Sequence, residues 1–148
     1  PTRLLRVEEN LSRLDLSATT QVADASNIHS WWDAEPYDRI LLDVPCSASG
    51  VVRRHPDVKW LRREKDIDSF VRQQRALLIS TWKVLAKGGK LLYTTCSIFP
   101  EENEKQVEWF LNEHSNAKID SEYAAHNGHL IFPNNSHDGF FHALFDKI

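Results

Sequence analysis

An α/β fold on a mostly parallel sheet is predicted by three observations. Helix-period and strand-period segments alternate along the chain. Two of the strand segments end in similar polar turns, Asp43-Val44-Pro45-Cys46-Ser47 and Thr95-Cys96-Ser97. The length, 148 residues at 41% hydrophobic and 26% charged, suits one buried core.

Leu4, Val7, Leu11 and Leu14 recur at helical spacing opposite Arg3, Arg6, Glu8, Glu9 and Arg13, which predicts an amphipathic helix over 2–15. Residues 18–23 (ATTQVA) are a short β-prone run ending at Asp24, and a polar helix or turn is expected over 26–34. Residues 37–43 finish in a continuous apolar stretch, as a buried parallel strand does. Residues 44–65 hold Pro45, Ser47, Ser49, Gly50 and Pro56 and read as a long loop, of the kind that is usually functional or disordered. Ile67, Phe70, Val71, Leu78, Trp82 and Leu85 then share a helix face, with Gly88-Gly89 as its stop. Residues 90–95 form a strand that delivers Cys96. Pro100 opens the next helix with Glu101, Glu102 and Glu104, acids where the helix dipole favours anions, and Val107, Phe110 and Leu111 are its buried stripe. Beyond Asn116 the chain turns polar until a closing strand over 140–145.

Composition excludes several classes of function. No apolar run approaches the roughly 18–20 residues of a membrane helix, and no signal-peptide pattern is present, so no membrane partner is expected. Two cysteines rule out a disulfide scaffold and fit a reducing, cytoplasmic setting. They also fall short of a structural zinc site, and seven His show no ligand spacing, so no metal is expected. A net charge of −3 argues against a uniformly basic nucleic-acid coat but leaves room for a local patch. Trp82 and Trp109 read as packing residues, Trp31-Trp32 as a possible cofactor rim, and His126, His129, His137 and His142 as surface or packing residues.

In open α/β sheets ligands bind beyond the carboxyl ends of the strands, so both cysteines are expected to reach the same site. A free Cys is usually a small buried hydrophobe. Two at equivalent strand ends, each beside Ser and one close to Asp43, point instead to thiol chemistry. Two thiols near a carboxylate suit attack on an electron-poor ring. A thiolate adding at pyrimidine C6 makes C5 enamine-like and able to take an electrophilic methyl group. A carboxyl group on N3 and the exocyclic amine stabilises the developing charge, and a second thiol assists release.

The stretch LLDVPCSASGVVRRHPDVKW (41–60), TTCS (94–97), PEENE (100–104) and DGFF (138–141) resemble the RNA cytosine-C5 methyltransferases, most closely those of bacterial small-subunit ribosomal RNA. The resemblance covers nearly the whole chain and weakens over 119–135. It implies a Rossmann-like class I methyltransferase fold, S-adenosyl-L-methionine as cofactor and ribosomal RNA as substrate. It also implies Cys96 as nucleophile, Cys46 in product release, Asp43 at the junction of cofactor and cytosine, Asp24 at the adenine, and Pro45 beside the cofactor. The DNA cytosine methyltransferases place their nucleophile in the P-C motif, which would exchange the two cysteines. Transfer RNA is the alternative substrate, and a non-catalytic RNA-binding module the alternative function.

The loop carries a charge signal of its own. Residues 53–65 hold Arg53, Arg54, Lys59, Arg62, Arg63 and Lys65 against Asp57 and Glu64, a net of +4 on a chain otherwise acidic. With His55 and Trp60 interleaved, Arg53, Arg54, His55, Lys59, Arg62 and Arg63 are expected to contact RNA phosphates and bases, in a single-stranded or loop target. The alternative is a solvated loop whose cations pair with neighbouring acids.

The family's glycine-rich cofactor turn and ribose-binding acid have no counterpart, since Gly50 is the only glycine before residue 88. The expectation is therefore a truncated fold, its first two strands and the intervening helix missing. Residues 1–148 would then be a partial catalytic domain with an incomplete cofactor site. The family's sheet order, 3-2-1-4-5-7-6, would leave strand 3 without a partner and strand 4 as an open edge, through which a non-native dimer can form.

Overall fold

A computed structural model describes residues 2–148. The elements are α1 (Thr2–Arg13), β1 (Tyr37–Asp43), α2 (Val58–Leu61), α3 (Glu64–Val84), β2 (Leu85–Thr95), α4 (Glu104–Glu113), β3 (Ala117–Ile119), β4 (His129–Ile131) and β5 (Phe140–Lys147). The sheet runs β1-β2-β5-β3, and β4 also pairs with β5.

β1 and β2 are parallel, while β2, β3 and β4 each pair with β5 antiparallel. The expectation of a mostly parallel sheet is thus corrected. The connection over 120–139 returns β5 against the direction of β2 and β3, so every pairing β5 makes is antiparallel.

The core lies on one face of this sheet. Leu77, Leu78 and Trp82 of α3 and Val107 and Phe110 of α4 pack on Leu42, Leu91, Tyr93, Phe141, Ala143 and Phe145. Trp82 meets Phe110 edge-on at 5.1 Å, and Phe110 meets Phe145 at 5.0 Å. Such pairs add about 0.5–1.5 kcal/mol beyond the area they bury. Because the other face is open, β1 alternates: Leu42 is buried while Leu41 is 68% exposed. The strand is not buried on both faces as its continuous apolar run implied.

Two further expectations are corrected. Among the described residues, 16–24 form no strand. An extended segment becomes a strand only when a neighbour takes its N–H and C=O groups, and no strand lies on the outer side of β1. The Gly88-Gly89 pair does not stop α3, which ends at Val84. It lies instead in an irregularity of β2, where the register steps from Tyr37↔Leu85 to Arg39↔Lys90 and Gly88 adopts φ +79°. The apolar stripe of α1 is incompletely covered, with Val7 and Leu14 exposed. The 44–65 loop is also partly ordered, by a 3-10 turn over Ser49–Val51 and the single turn of α2.

Candidate active site

The parallel register sets Asp43 opposite Thr94, so β1 and β2 end level and the turns that follow them meet. Cys46 Sγ lies 3.3 Å from Cys96 Sγ, and both thiols are free. Cys46 is buried and Cys96 half-buried. The hydrogen bond from Cys46 holds the Cys96 thiol down to about 7, against the opposing effects of burial and of the Asp43 carboxylate. That same contact, and then burial, pushes Cys46 up. The pair is therefore asymmetric: the contact that lowers Cys96 raises Cys46, so Cys96 is the more acidic thiol of the two.

A buried carboxyl group braces both cysteine turns. Glu102 Oε1 accepts hydrogen bonds from the Ser47 backbone N–H at 2.9 Å and from Gln74 Nε2 at 3.0 Å, and Oε2 accepts from Ser97 Oγ at 2.6 Å. Asn103 Nδ2 donates to the Ser97 carbonyl at 2.9 Å, and Thr95 Oγ1 donates to Asn103 Oδ1 at 2.7 Å. Tyr93 Oη donates to the Glu102 carbonyl at 2.7 Å. Sequence reasoning took Glu102 for a helix-dipole acid at the start of a helix; the structure buries it fully between the two cysteine turns. The PEENE motif was the available signal.

Glycine closes the remaining gap. Gly50 N–H donates to the Cys96 carbonyl at 2.9 Å, and Gly139 N–H donates to the Gly50 carbonyl at 2.8 Å. A Cβ on Gly50 would stand 2.3 Å from the Gly139 carbonyl oxygen. Only glycine lets three backbones approach so closely.

These elements wall a cleft of about 690 Å³ on the open face of the sheet, lined by Asp43, Arg54, Thr94, Cys96, Phe140 and His142 among others. Thr94 Oγ1 donates to Asp43 Oδ1 at 3.4 Å. His142 was read as a surface or packing residue, and the structure places it in this cleft. Pro45 is exposed beside Asp43, its carbonyl accepting from Gln74 Nε2 at 3.0 Å.

Asp24 sits at the end of no strand. It accepts from the Ser26 N–H at 2.9 Å and from Ser26 Oγ at 2.7 Å, contacts that hold its carboxyl below the usual aspartate value. Its neighbours Ala23 and Ala25 line a groove of about 410 Å³ with Trp31, Tyr37 and Leu41. Leu41 also borders the cleft, so groove and cleft adjoin along β1. This continuous surface has an aromatic and apolar wall at one end and the exposed Asp43 carboxylate near Cys96 at the other.

The basic loop is not one free cationic surface. Arg53 and Arg54 both reach the buried Asp138, Arg53 at 3.6 Å. Arg62 Nε donates to the Ser47 carbonyl at 2.9 Å, and its guanidinium lies over Phe70. The backbone N–H of Arg63 donates to Asp66 Oδ2 at 3.0 Å and starts α3. His55, Lys59 and the side chain of Trp60 face solvent, Trp60 at 85% exposure. Asp138, within DGFF, is the second residue that sequence reasoning left without a role. Among the described residues no His, Cys, Asp and Glu group is arranged to hold a metal ion, and no helix is long and apolar enough to cross a membrane.

Comparison with known proteins places this geometry. Residues 1–146 match the family model described as 16S rRNA methyltransferase RsmB/F. The ribosomal RNA small subunit methyltransferase B of Vibrio cholerae is 48% identical over 147 residues, which are 99% of this chain and 34% of that protein. That of Shewanella oneidensis is 55% identical over 119 residues, 80% of this chain and 28% of that protein. The chain thus spans about a third of the length of the curated relatives it matches. Among solved structures, NSun6 from Pyrococcus horikoshii with SFG superposes with a TM-score of 0.81 at 32% identity, over 99% of this chain and 39% of that one. A methyltransferase homologue from the same organism also gives 0.81, at 28% identity, over 99% and 50%.

Proposed function

The chain belongs to the RsmB/F family of 16S rRNA methyltransferases, and from that membership we propose that residues 1–148 are part of the catalytic domain of an enzyme that methylates cytosine C5 in small-subunit ribosomal RNA with S-adenosylmethionine. The observation that carries the chemistry is the asymmetric thiol pair at the ends of β1 and β2.

Cys96, the more acidic thiol of the pair, adds as its thiolate to C6 of the cytosine, and the displaced electron pair makes C5 nucleophilic. In this reading Asp43, which stands across from Thr94, shares a proton with N3 and accepts from the exocyclic amine, which stabilises charge where it develops. When bound, S-adenosylmethionine supplies the electrophilic methyl group; Asp43, Pro45 and Asp24 are the residues that would hold it. In this reading Cys46, the thiol that is pushed up, is the donor to Cys96 Sγ and stabilises that sulfur both as nucleophile and as leaving group. Attack perpendicular to the ring requires the base to leave its stack. Trp60, nearly fully exposed among Lys59, Arg62 and Arg63, offers a stacking face and phosphate contacts to single-stranded or loop RNA.

The test uses the full-length enzyme carrying this segment and its ribosomal RNA. Cys96→Ala is expected to abolish methyl transfer. Cys46→Ala is expected to trap a covalent protein–RNA adduct, visible on a denaturing gel. An adduct that still forms in Cys96→Ala would exchange the two roles.

A further inference from the structure

We propose that His142 accepts the proton that leaves cytosine C5 after methyl transfer and passes it through His129 to solvent. The proposal rests on Cys96 being the nucleophile and adds a proton acceptor to that reaction.

The register lays out the path. Asp43 stands opposite Thr94, Thr94 opposite His142, and His142 opposite His129, a polar row crossing β1, β2, β5 and β4. Cys96, one residue past the end of β2, lines the same cleft as Asp43, Thr94 and His142. At about 690 Å³ the cleft has room for a pyrimidine ring between thiol and imidazole. The rings of His142 and His129 are 5.2 Å apart, and Tyr123 meets His142 edge-on at 5.5 Å. His142 is half-buried in the cleft and His129 is exposed, so the pair leads outward.

The other cleft groups are committed elsewhere. Asp43 is assigned to the ring's N3 edge, Cys46 holds its proton against Cys96, and Arg54 is a cation paired with Asp138. Facing His142 are Asp43 from β1, Thr94 and Cys96 from the β2 end, His129 from β4, Tyr123 from the turn after β3, and Arg54 from the loop. Burial, and then the neighbouring His129, hold His142 below the usual histidine value, so the imidazole is neutral near pH 7 and able to accept. In the step itself the C5–H bond breaks and its electron pair forms the C5=C6 double bond. The C6–S bond breaks and its pair returns to Cys96 Sγ. The proton moves to the imidazole, then to His129 and water.

The experiment supplies the full-length enzyme with RNA tritiated at cytosine C5 and with labelled cofactor, and follows tritium release and methyl incorporation together. His142→Ala is expected to slow tritium release at least about tenfold while methylated covalent adduct accumulates. Added imidazole should restore release, and His129→Asn should slow it less. Wild-type release should rise with pH as His142 deprotonates, a limb the variant loses. Wild-type release by His142→Ala, or a loss that imidazole does not restore and that leaves no adduct, overturns the proposal. Methyl transfer surviving Cys96→Ala overturns the underlying reading instead; with Cys96→Ala inactive and His142→Ala unchanged, only the role of His142 falls.

Discussion

At the ends of β1 and β2, two sulfur atoms 3.3 Å apart differ in acidity, because their contact lowers Cys96 and, together with burial, raises Cys46. The motifs alone did not separate nucleophile from helper, since both cysteines sit beside Ser at strand ends. Burial and hydrogen bonding set the acidity of the two thiols apart. The sign of the pH dependence follows directly: the thiolate is the reactive form, so alkylation of Cys96 by iodoacetamide should rise with pH and reach half its maximum near pH 7. Cys46→Ala removes the donated hydrogen bond, which is the main cause of the low value, so the midpoint should move up and the rate at pH 7 should fall. Mass spectrometry after limited alkylation identifies the residue modified first. If Cys46 is labelled before Cys96, the donor and acceptor are reversed.

The elements that hold this pair were only partly legible in the sequence. β1, α3, β2 and α4 were found because apolar runs and the 3.6-residue helical period are local properties of five or more residues. β3 and β4, at three residues each, are too short to show a period. The brace was hidden for a different reason. Glu101 and Glu102 look alike in PEENE, yet a single step of helical turn sends Glu101 to the surface, 2.7 Å from Lys105, and Glu102 into the core between the cysteine turns. Likewise nothing in residues 44–65 marks Gly50 apart from other turn glycines. Its importance comes from Gly139, 89 residues later, whose carbonyl oxygen leaves 2.3 Å for a Cβ. Gly50→Ala is therefore expected to destabilise the chain by about 1–3 kcal/mol, as overpacking against backbone does. Urea denaturation measures this, and the pH midpoint of Cys96 alkylation should rise in the variant as the two turns part. An unchanged midpoint and stability would show that the 44–65 loop adapts without disturbing the pair.

At the scale of the whole molecule, α3 and α4 cover one face of the sheet, and among the described residues β1 is its edge with no strand beyond. Residues 19–25 lie near that edge but leave the groove bordered by Trp31 and Tyr37, and Leu41 stays 68% exposed. Val44 N–H is directed at the Thr94 carbonyl, so alternation turns the N–H and C=O of Leu41 and Asp43 outward. An apolar edge of this kind pairs with another strand when one is offered, and in a solution of this chain alone the strand on offer is β1 of a second copy. The 148-residue chain is therefore expected to form a symmetric dimer in the micromolar range, measured by sedimentation velocity over a concentration series. Leu41→Pro deletes an outward N–H without touching the β1–β2 ladder, and Leu41→Lys places a charge on the edge; both should yield monomers. A wild-type chain that stays monomeric up to about a millimolar would show that residues 19–25 protect the edge.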